Sequence, residues 1–150
     1  MTQVQTQRLS SGDRDLARKL FVMMAAVFDE EHKPLTDSYL HRLLSKPDFW
    51  AIAAFRGVDI IGGLTAHTLP MTRMDSSEIF IYDIAVREDH RRQGVGRKLV
   101  TALRESADAS GIHDIFVPAD NDDKHALDFY RALGGAASAV TFFTFTDRER

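Results

Sequence analysis

Stretches of helical period and stretches of two-residue period follow one another along the chain, and their order predicts the architecture. Residues 4–9 can form a short first strand. Ser11 can cap a helix, with Asp13 and Asp15 well placed against the positive end of its dipole. Leu16, Leu20, Met23, Met24 and Val27 then recur at helical spacing and predict a core-facing stripe. The acidic run Asp29, Glu30, Glu31 falls on the polar side of this helix or just beyond it. Thr36 reads as the cap of a second helix carrying Leu40, Leu43 and Leu44, which Pro47 stops. Residues 49–55 predict a strand, 56–59 a tight turn and 60–69 a returning strand that ends at Pro70. Gly62 and Gly63 inside that strand predict a bulge or a close backbone approach. Residues 78–86 (EIFIYDIAV) form the strongest strand signal in the chain. A helix over 95–110 stopped by Gly111, a strand over 112–117, a helix over 123–133 ended by Gly134 and Gly135, and a strand over 139–145 complete the series.

A meander of three antiparallel strands followed by crossover helices predicts an α/β sandwich on a mixed sheet. Alternation along 78–86 assigns Asp83 to the face of Ile79, Ile81 and Ala85, opposite Glu78, Tyr82 and Ile84. With 150 residues and no linker-like stretch or repeat, residues 1–150 are expected to form one domain. The net charge of −3 argues against a general nucleic-acid binder, which is usually basic. There is no cysteine, so neither a disulfide scaffold nor a cysteine nucleophile is possible. Neither a secretory leader nor an apolar run of about 20 residues is visible, so a cytoplasmic location is expected and no membrane association. The six histidines show no ligand-pair spacing, and no metal site is expected.

The segment IYDIAVREDHRRQGVGRKL holds the most informative chemistry. A strand ends at Val86, a turn rich in arginine follows, and Gly94 and Gly96 open an amphipathic helix. The first four N–H groups of a helix have no intrahelical acceptor, and partial positive charge collects there. Glycines let a phosphate approach the main chain, and Arg91, Arg92 and Arg97 add mobile cations. That is an anion site suited to a phosphorylated cofactor. Neither GxxxxGK[ST] nor GxGxxG after the first strand is present, so nucleotide-hydrolase and dinucleotide folds are unsupported.

Here the chain resembles the GNAT superfamily of N-acetyltransferases. Its acetyl-CoA motif, [Arg/Gln]-x-x-Gly-x-[Gly/Ala] after a strand, is matched by Arg91, Arg92, Gln93, Gly94, Val95 and Gly96. The resemblance implies a mostly antiparallel sheet with helices on both faces and a splayed acetyl-CoA cleft. It implies that backbone N–H groups from Arg92 to Arg97 hold the pyrophosphate. The strand end at Ile84, Ala85 and Val86 would pair with the pantetheine arm, with Ala85 or Ile84 donating to the thioester carbonyl. ALDFYRALGG resembles the family's next motif and makes Tyr130, four residues after Ala126, the candidate general acid. A phenol of pKa about 10 keeps its proton at neutral pH and can protonate a leaving thiolate.

Asp83 is the candidate base or ammonium anchor, although a structural ion pair with an arginine explains a carboxylate in an apolar strand equally well. Asp120 and Asp123 are candidate acceptor-binding residues, and Asp123 can also serve simply as a helix cap. FWAIAAF, IIGGLTAHTLP, SEIFIYDIAV, HRRQGVGRKL and VPADNDDKHALDFYRALG resemble the GNAT-type aminoglycoside 3-N-acetyltransferases. That likeness implies a polycationic small-molecule acceptor, acetylated at the 3-amino group of gentamicin-like drugs, and hence antibiotic resistance. Acetylation of a polyamine, a protein N-terminus or a lysine, or a non-catalytic acyl-CoA sensor, are the competing readings. The apolar segment AVTFFTFT can pair across a homodimer or close its own sheet.

Overall fold

The computed structural model describes residues 3–147, which divide into two compact units meeting in sequence at Pro118 and Ala119. Each unit is described by itself.

The first unit carries β1 (Val4–Arg8), α1 (Arg14–Val27), α2 (Asp37–Ser45), β2 (Phe49–Arg56), β3 (Asp59–Pro70), β4 (Ser77–Val86), α3 (Val95–Ala109) and β5 (Asp114–Phe116). The sheet order is β1-β2-β3-β4-β5, antiparallel throughout except for the parallel β4–β5 pair. Helices cover both faces. Leu20 and Met24 of α1 pack with Leu40 and Leu44 of α2 against Phe49, Ala51, Ala53 and Ala85. On the other face Val95 and Leu99 of α3 lie against Gly62. The expected mixed α/β architecture holds.

Both glycines of β3 are close approaches. A Cβ on Gly63 would stand 2.3 Å from Leu20 Cδ1, and one on Gly62 would stand 2.9 Å from Val95 Cγ1. The sheet is therefore clamped between α1 and α3 at neighbouring residues. A register shift between Ala54 and Phe55 adds a bulge here, leaving Ile61 as the extra residue of β3.

The caps differ slightly from expectation. Ser10, rather than Ser11, opens the first helical segment, its N–H donating to Asp13 Oδ2 at 2.8 Å before a short 3₁₀ turn leads into α1. Thr36 caps α2, accepting from the Tyr39 N–H at 3.1 Å. At the end of α1, Asp29 takes φ +54°, and the N–H groups of Asp29 and Glu30 donate to the carbonyls of Ala26 and Ala25. This Schellman-type turn puts the acidic run beyond the helix and fixes Glu30.

The sequence-based expectation is corrected at two strands. The strand expected over 112–117 is only Asp114–Phe116, and the segment expected as a strand over 139–145 has no regular secondary structure. Pro118, which lacks an N–H, follows soon after β5 and cannot extend the ladder. The second unit contains α4 (Lys124–Ala132), capped by Asp123, whose Oδ1 accepts from the Ala126 N–H at 3.1 Å. Among the described residues, no helix is long and apolar enough to cross a membrane.

Candidate active site

β4 organises the first unit's chemistry along its edge and on its face. Its pairing with β5 covers only Glu78, Ile79 and Phe80, whereas β3 follows it from Ser77 to Val86. From Ile81 onward, the β5 side of β4 has no ladder partner among the described residues. The direction of the free groups follows from register. Arg87 N–H donates to the Ile61 carbonyl at 2.8 Å, and hydrogen-bonded pairs recur every second residue. Gly63 and Ala85 are thus a bonded pair, while Gly62–Val86 and Leu64–Ile84 are not. The main-chain groups of Ile84 and Val86 therefore point to the open edge, and those of Ala85 are committed to β3. Consistently, the outward Val86 carbonyl accepts from Arg91 Nε at 3.3 Å. Of the two candidate carbonyl donors, Ile84 is the one whose N–H has no ladder partner among the described residues.

The expected phosphate loop follows directly. Residues 88–90 form a 3₁₀ turn, and Arg87 pairs with Asp89 at 2.9 Å. Arg92 and Gly94 both lie in the left-handed region, at φ +61° and +78°. Gly94 is the N-cap of α3, so no cap side chain accepts from the first N–H groups of the helix, and no acidic residue lies in its first turn. Nothing stands within 4 Å of where a Gly94 Cβ would be. Arg91, Arg92, Gln93 and Arg97 are exposed. Orphan donors, positive dipole and arginines meet at one place, which suits a pyrophosphate.

The face of β4 corrects the simple alternation. Thr65 pairs with Asp83 but Ala66 pairs with Ile81, which leaves Tyr82 as a bulge residue. Side chains of the two bulge residues share a side, so the period resets there. Asp83 lies with Glu78, Phe80, Tyr82 and Ala85 on the α1–α2 face, and Ile79, Ile81 and Ile84 lie on the α3 face. No hydrogen bond or ion pair reaches the Asp83 carboxylate among the described residues, so the expected alternative of a structural arginine pair is not realised. Burial, and secondarily the charge of Glu30, push the Asp83 carboxyl above the usual carboxylate range. A desolvated carboxylate without a cation is costly, which makes Asp83 a candidate functional group.

Glu30 was not singled out from sequence; its influence on Asp83 depends on the turn that ends α1. Tyr82, Phe80 and His67 share the face of Asp83 and are not among the residues the sequence singles out. Their rings form a chain on the same face: His67 lies 6.0 Å from Tyr82, Phe80 lies 5.9 Å from Tyr82, and Phe116 stacks on Phe80 at 5.2 Å. The isoleucine spacing was the available signal, for it changes from two (79, 81) to three (81, 84) across the bulge.

In the second unit Tyr130 is half-buried on α4, with its ring 5.2 Å from that of Phe129. Asp120 is exposed, and its Oδ1 accepts from the Asp122 N–H at 3.3 Å. Asp123 is also exposed and is the cap of α4, as one of its two readings held. Among the described residues, no cluster of side chains could hold a metal ion.

The open strand edge running into a helix start without a side-chain cap and ringed by arginines is an arrangement suited to an extended, phosphorylated ligand such as an acyl-CoA. The chain belongs to the acetyltransferase (GNAT) family, whose family model matches residues 15–134. Proteins of this family use acetyl-CoA. An aminoglycoside acetyltransferase, meta-AAC0020, from an uncultured soil metagenomic sample, solved in complex with sisomicin, matches with a TM-score of 0.92 and 31% identity over 97% of both chains. Another structure of meta-AAC0020, with trehalose, gives 0.91 and 33% over the same shares. A second aminoglycoside acetyltransferase from an uncultured soil metagenomic sample, HMB0005, gives 0.90 and 31%, over 97% of this chain and 99% of that one. Mouse N-acetyltransferase family 8 member 3 is 24% identical over 102 residues, 68% of this chain and 44% of its own. The chain thus spans less than half the length of the curated relatives it matches.

Proposed function

We propose that residues 1–150 form one acetyltransferase domain, acting in the cytoplasm, that moves the acetyl group of acetyl-CoA to the 3-amino group of gentamicin-like aminoglycosides, and so confers resistance to them. The observation that carries the acceptor assignment is the likeness, over 97% of both chains, to an aminoglycoside acetyltransferase solved with sisomicin. The half-buried Asp83, without a cationic partner among the described residues, fits a polycationic acceptor.

The residues present fit the cofactor. N–H groups of Arg92 to Arg97 would hold the pyrophosphate, with Gln93, Gly94, Val95 and Gly96 forming the cradle and Arg91 and Arg97 flanking it. Ile84, Ala85 and Val86 would line the pantetheine arm, hydrogen-bonded through the outward groups of Ile84 and Val86. Acetyl-CoA supplies the thioester. The Ile84 N–H is the donor for its carbonyl, stabilising negative charge as it develops on that oxygen. Asp83 orients the acceptor ammonium and receives its proton through water, leaving the neutral amine as nucleophile. As the amine nitrogen bonds to the acetyl carbon and the carbon–sulfur bond breaks, Tyr130 would donate its phenolic proton to the thiolate leaving group, and the extra proton on the acetylated nitrogen would return through water to the Tyr130 phenolate, leaving a neutral amide. Asp120 and Asp123 bind further ammonium groups. The exposed Val140, Phe142, Phe143 and Phe145 support homodimerisation through the C-terminal segment.

The test is acetyl-CoA consumption with gentamicin, kanamycin, spermidine and a lysine peptide, with the products mapped by NMR. Turnover restricted to the drugs, with acetyl on the 3-nitrogen, is expected. Turnover of the polyamine or peptide alone overturns the drug assignment. Cofactor binding with no turnover of any amine makes the chain an acyl-CoA sensor.

A further inference from the structure

The bulge at Tyr82 does more than reset the face of Asp83: it turns an aromatic ring outward beside that carboxylate. Tyr82 is 61% exposed although it sits in the middle of a sheet, between neighbours Ile81 and Asp83 that are buried and half-buried. The rings behind it hold it in place. His67 meets it edge-on, at an interplanar angle of 71°, and itself leans on Phe49 at 5.4 Å. Phe80 flanks it at 51° and is backed by the parallel ring of Phe116, at an angle of 6°. An aromatic strip thus crosses β2, β3, β4 and β5 on one face, and its most exposed member adjoins an unpaired carboxylate. Phe116, 44% exposed at the far end of the strip, is further from that carboxylate in the strand order, on β5. Tyr39 lies on a helix surface beneath Arg42, with the guanidinium 5.9 Å from its ring.

A ring in this position presents a π face and a C–H surface, while the Asp83 carboxylate and the negative charge of Glu30 supply attraction for cations. An amino sugar matches both parts, because its ring carries an apolar C–H face and its rim carries ammonium groups. A linear polyamine supplies the cations without the ring face. A peptide lysine supplies one cation on a flexible stem. We propose that Tyr82, buttressed by His67 and Phe80, is a stacking platform for one amino-sugar ring of the acceptor, whose ammonium groups are held by Asp83 and Glu30. The proposal rests on the aminoglycoside reading above and makes Tyr82 a specificity-determining residue, which neither the cofactor loop nor the general acid supplies.

Tyr82→Phe keeps the ring and Tyr82→Leu keeps apolar bulk without a π face. The Leu variant is expected to raise KM for sisomicin about tenfold, as loss of one ring contact to a cationic ligand would. KM for acetyl-CoA stays at the wild-type value, and Tyr82→Phe restores the sisomicin KM. In wild-type protein, sisomicin should shift the Tyr82 ring resonances and spermidine should leave them in place; this measurement also serves if the Leu variant folds poorly. Sisomicin turnover with an unchanged KM in Tyr82→Leu, or sisomicin binding without Tyr82 ring shifts, overturns the platform while leaving the drug reading intact. Wild-type turnover of spermidine or peptide alone overturns the drug reading and the platform with it.

Discussion

Substituting the two adjacent glycines of β3 tests how tightly the sheet is clamped. In Gly63→Ala the new methyl would stand 2.3 Å from Leu20 Cδ1, 3.2 Å from Leu20 Cγ and 3.0 Å from Met24 Sδ. Ordinary carbon contacts are about 3.5–4.0 Å, so Leu20 must retreat by more than 1 Å. Leu20 is fully buried, so a rotamer change has no solvent to move into. Overpacking of this kind costs about 1–3 kcal/mol, and the clash lies at the severe end. Restricting the unfolded backbone returns about 0.5–1 kcal/mol. A net loss of about 2 kcal/mol remains, which for a chain of this size is a Tm lowered by roughly 4–8 °C. Gly62→Ala meets Val95 Cγ1 at 2.9 Å and the Ala85 carbonyl at 3.2 Å, a smaller overlap. Its destabilisation should be about half as large. Val95 begins the helix whose start is proposed to hold the pyrophosphate, so Gly62→Ala should also weaken acetyl-CoA binding, which Gly63→Ala should leave unchanged. Calorimetric unfolding and acetyl-CoA titration read both effects. A Gly63→Ala protein as stable as wild type would refute the clamp.

Three further outcomes are expected. Tyr130→Phe should lower kcat about a hundredfold or more, the contribution of a general acid, with the acetyl-CoA Kd unchanged in titration calorimetry. Asp83→Asn should raise KM for sisomicin and change the pH dependence of stability. Native Asp83 holds its proton more tightly than the unfolded chain, so its effect on stability turns unfavourable as pH rises from about 3.9 through its raised value. The advantage of the Asn variant in urea denaturation should therefore grow from pH 4 to pH 8 and vanish in stronger acid; an advantage that shrinks with pH contradicts the sign. Gly94→Ala has room for its methyl but must hold φ +78°, at a cost of about 1–2 kcal/mol. Its acetyl-CoA KM should rise while KM for sisomicin stays constant in steady-state assays.

What was legible in the sequence was set by local chemistry. Periodicity located α1, α2 and the β2–β4 meander, and the arginine–glycine segment announced the start of α3. The Gly62–Gly63 pair pointed to close packing, and Thr36 and Asp123 were read as caps. What failed depended on partners distant in sequence. Perfect alternation put Asp83 on the wrong face because register with β3 inserts Tyr82, a pairing between strands rather than a property of either. The β5 strand reads longer in sequence than it is, since its neighbour accompanies it for only three residues. Glu30 looked like one member of a solvated acidic run, and only the left-handed Asp29 turn brings its charge to bear on Asp83. The apolar 139–145 segment has strand composition without a ladder.

β4 presents two kinds of group in perpendicular directions. On the proposed function the cofactor meets main-chain groups lying in the plane of the sheet, which every amino acid supplies alike. The acceptor meets side chains standing normal to that plane. Mutation can therefore rewrite Tyr82 or Asp83 without touching the hydrogen-bonding alphabet presented by Ile84 and Val86. On that reading a gene duplicate of this protein could drift to a new amine while inheriting its acyl donor intact, the donor being the grammar of the strand and the acceptor its replaceable vocabulary.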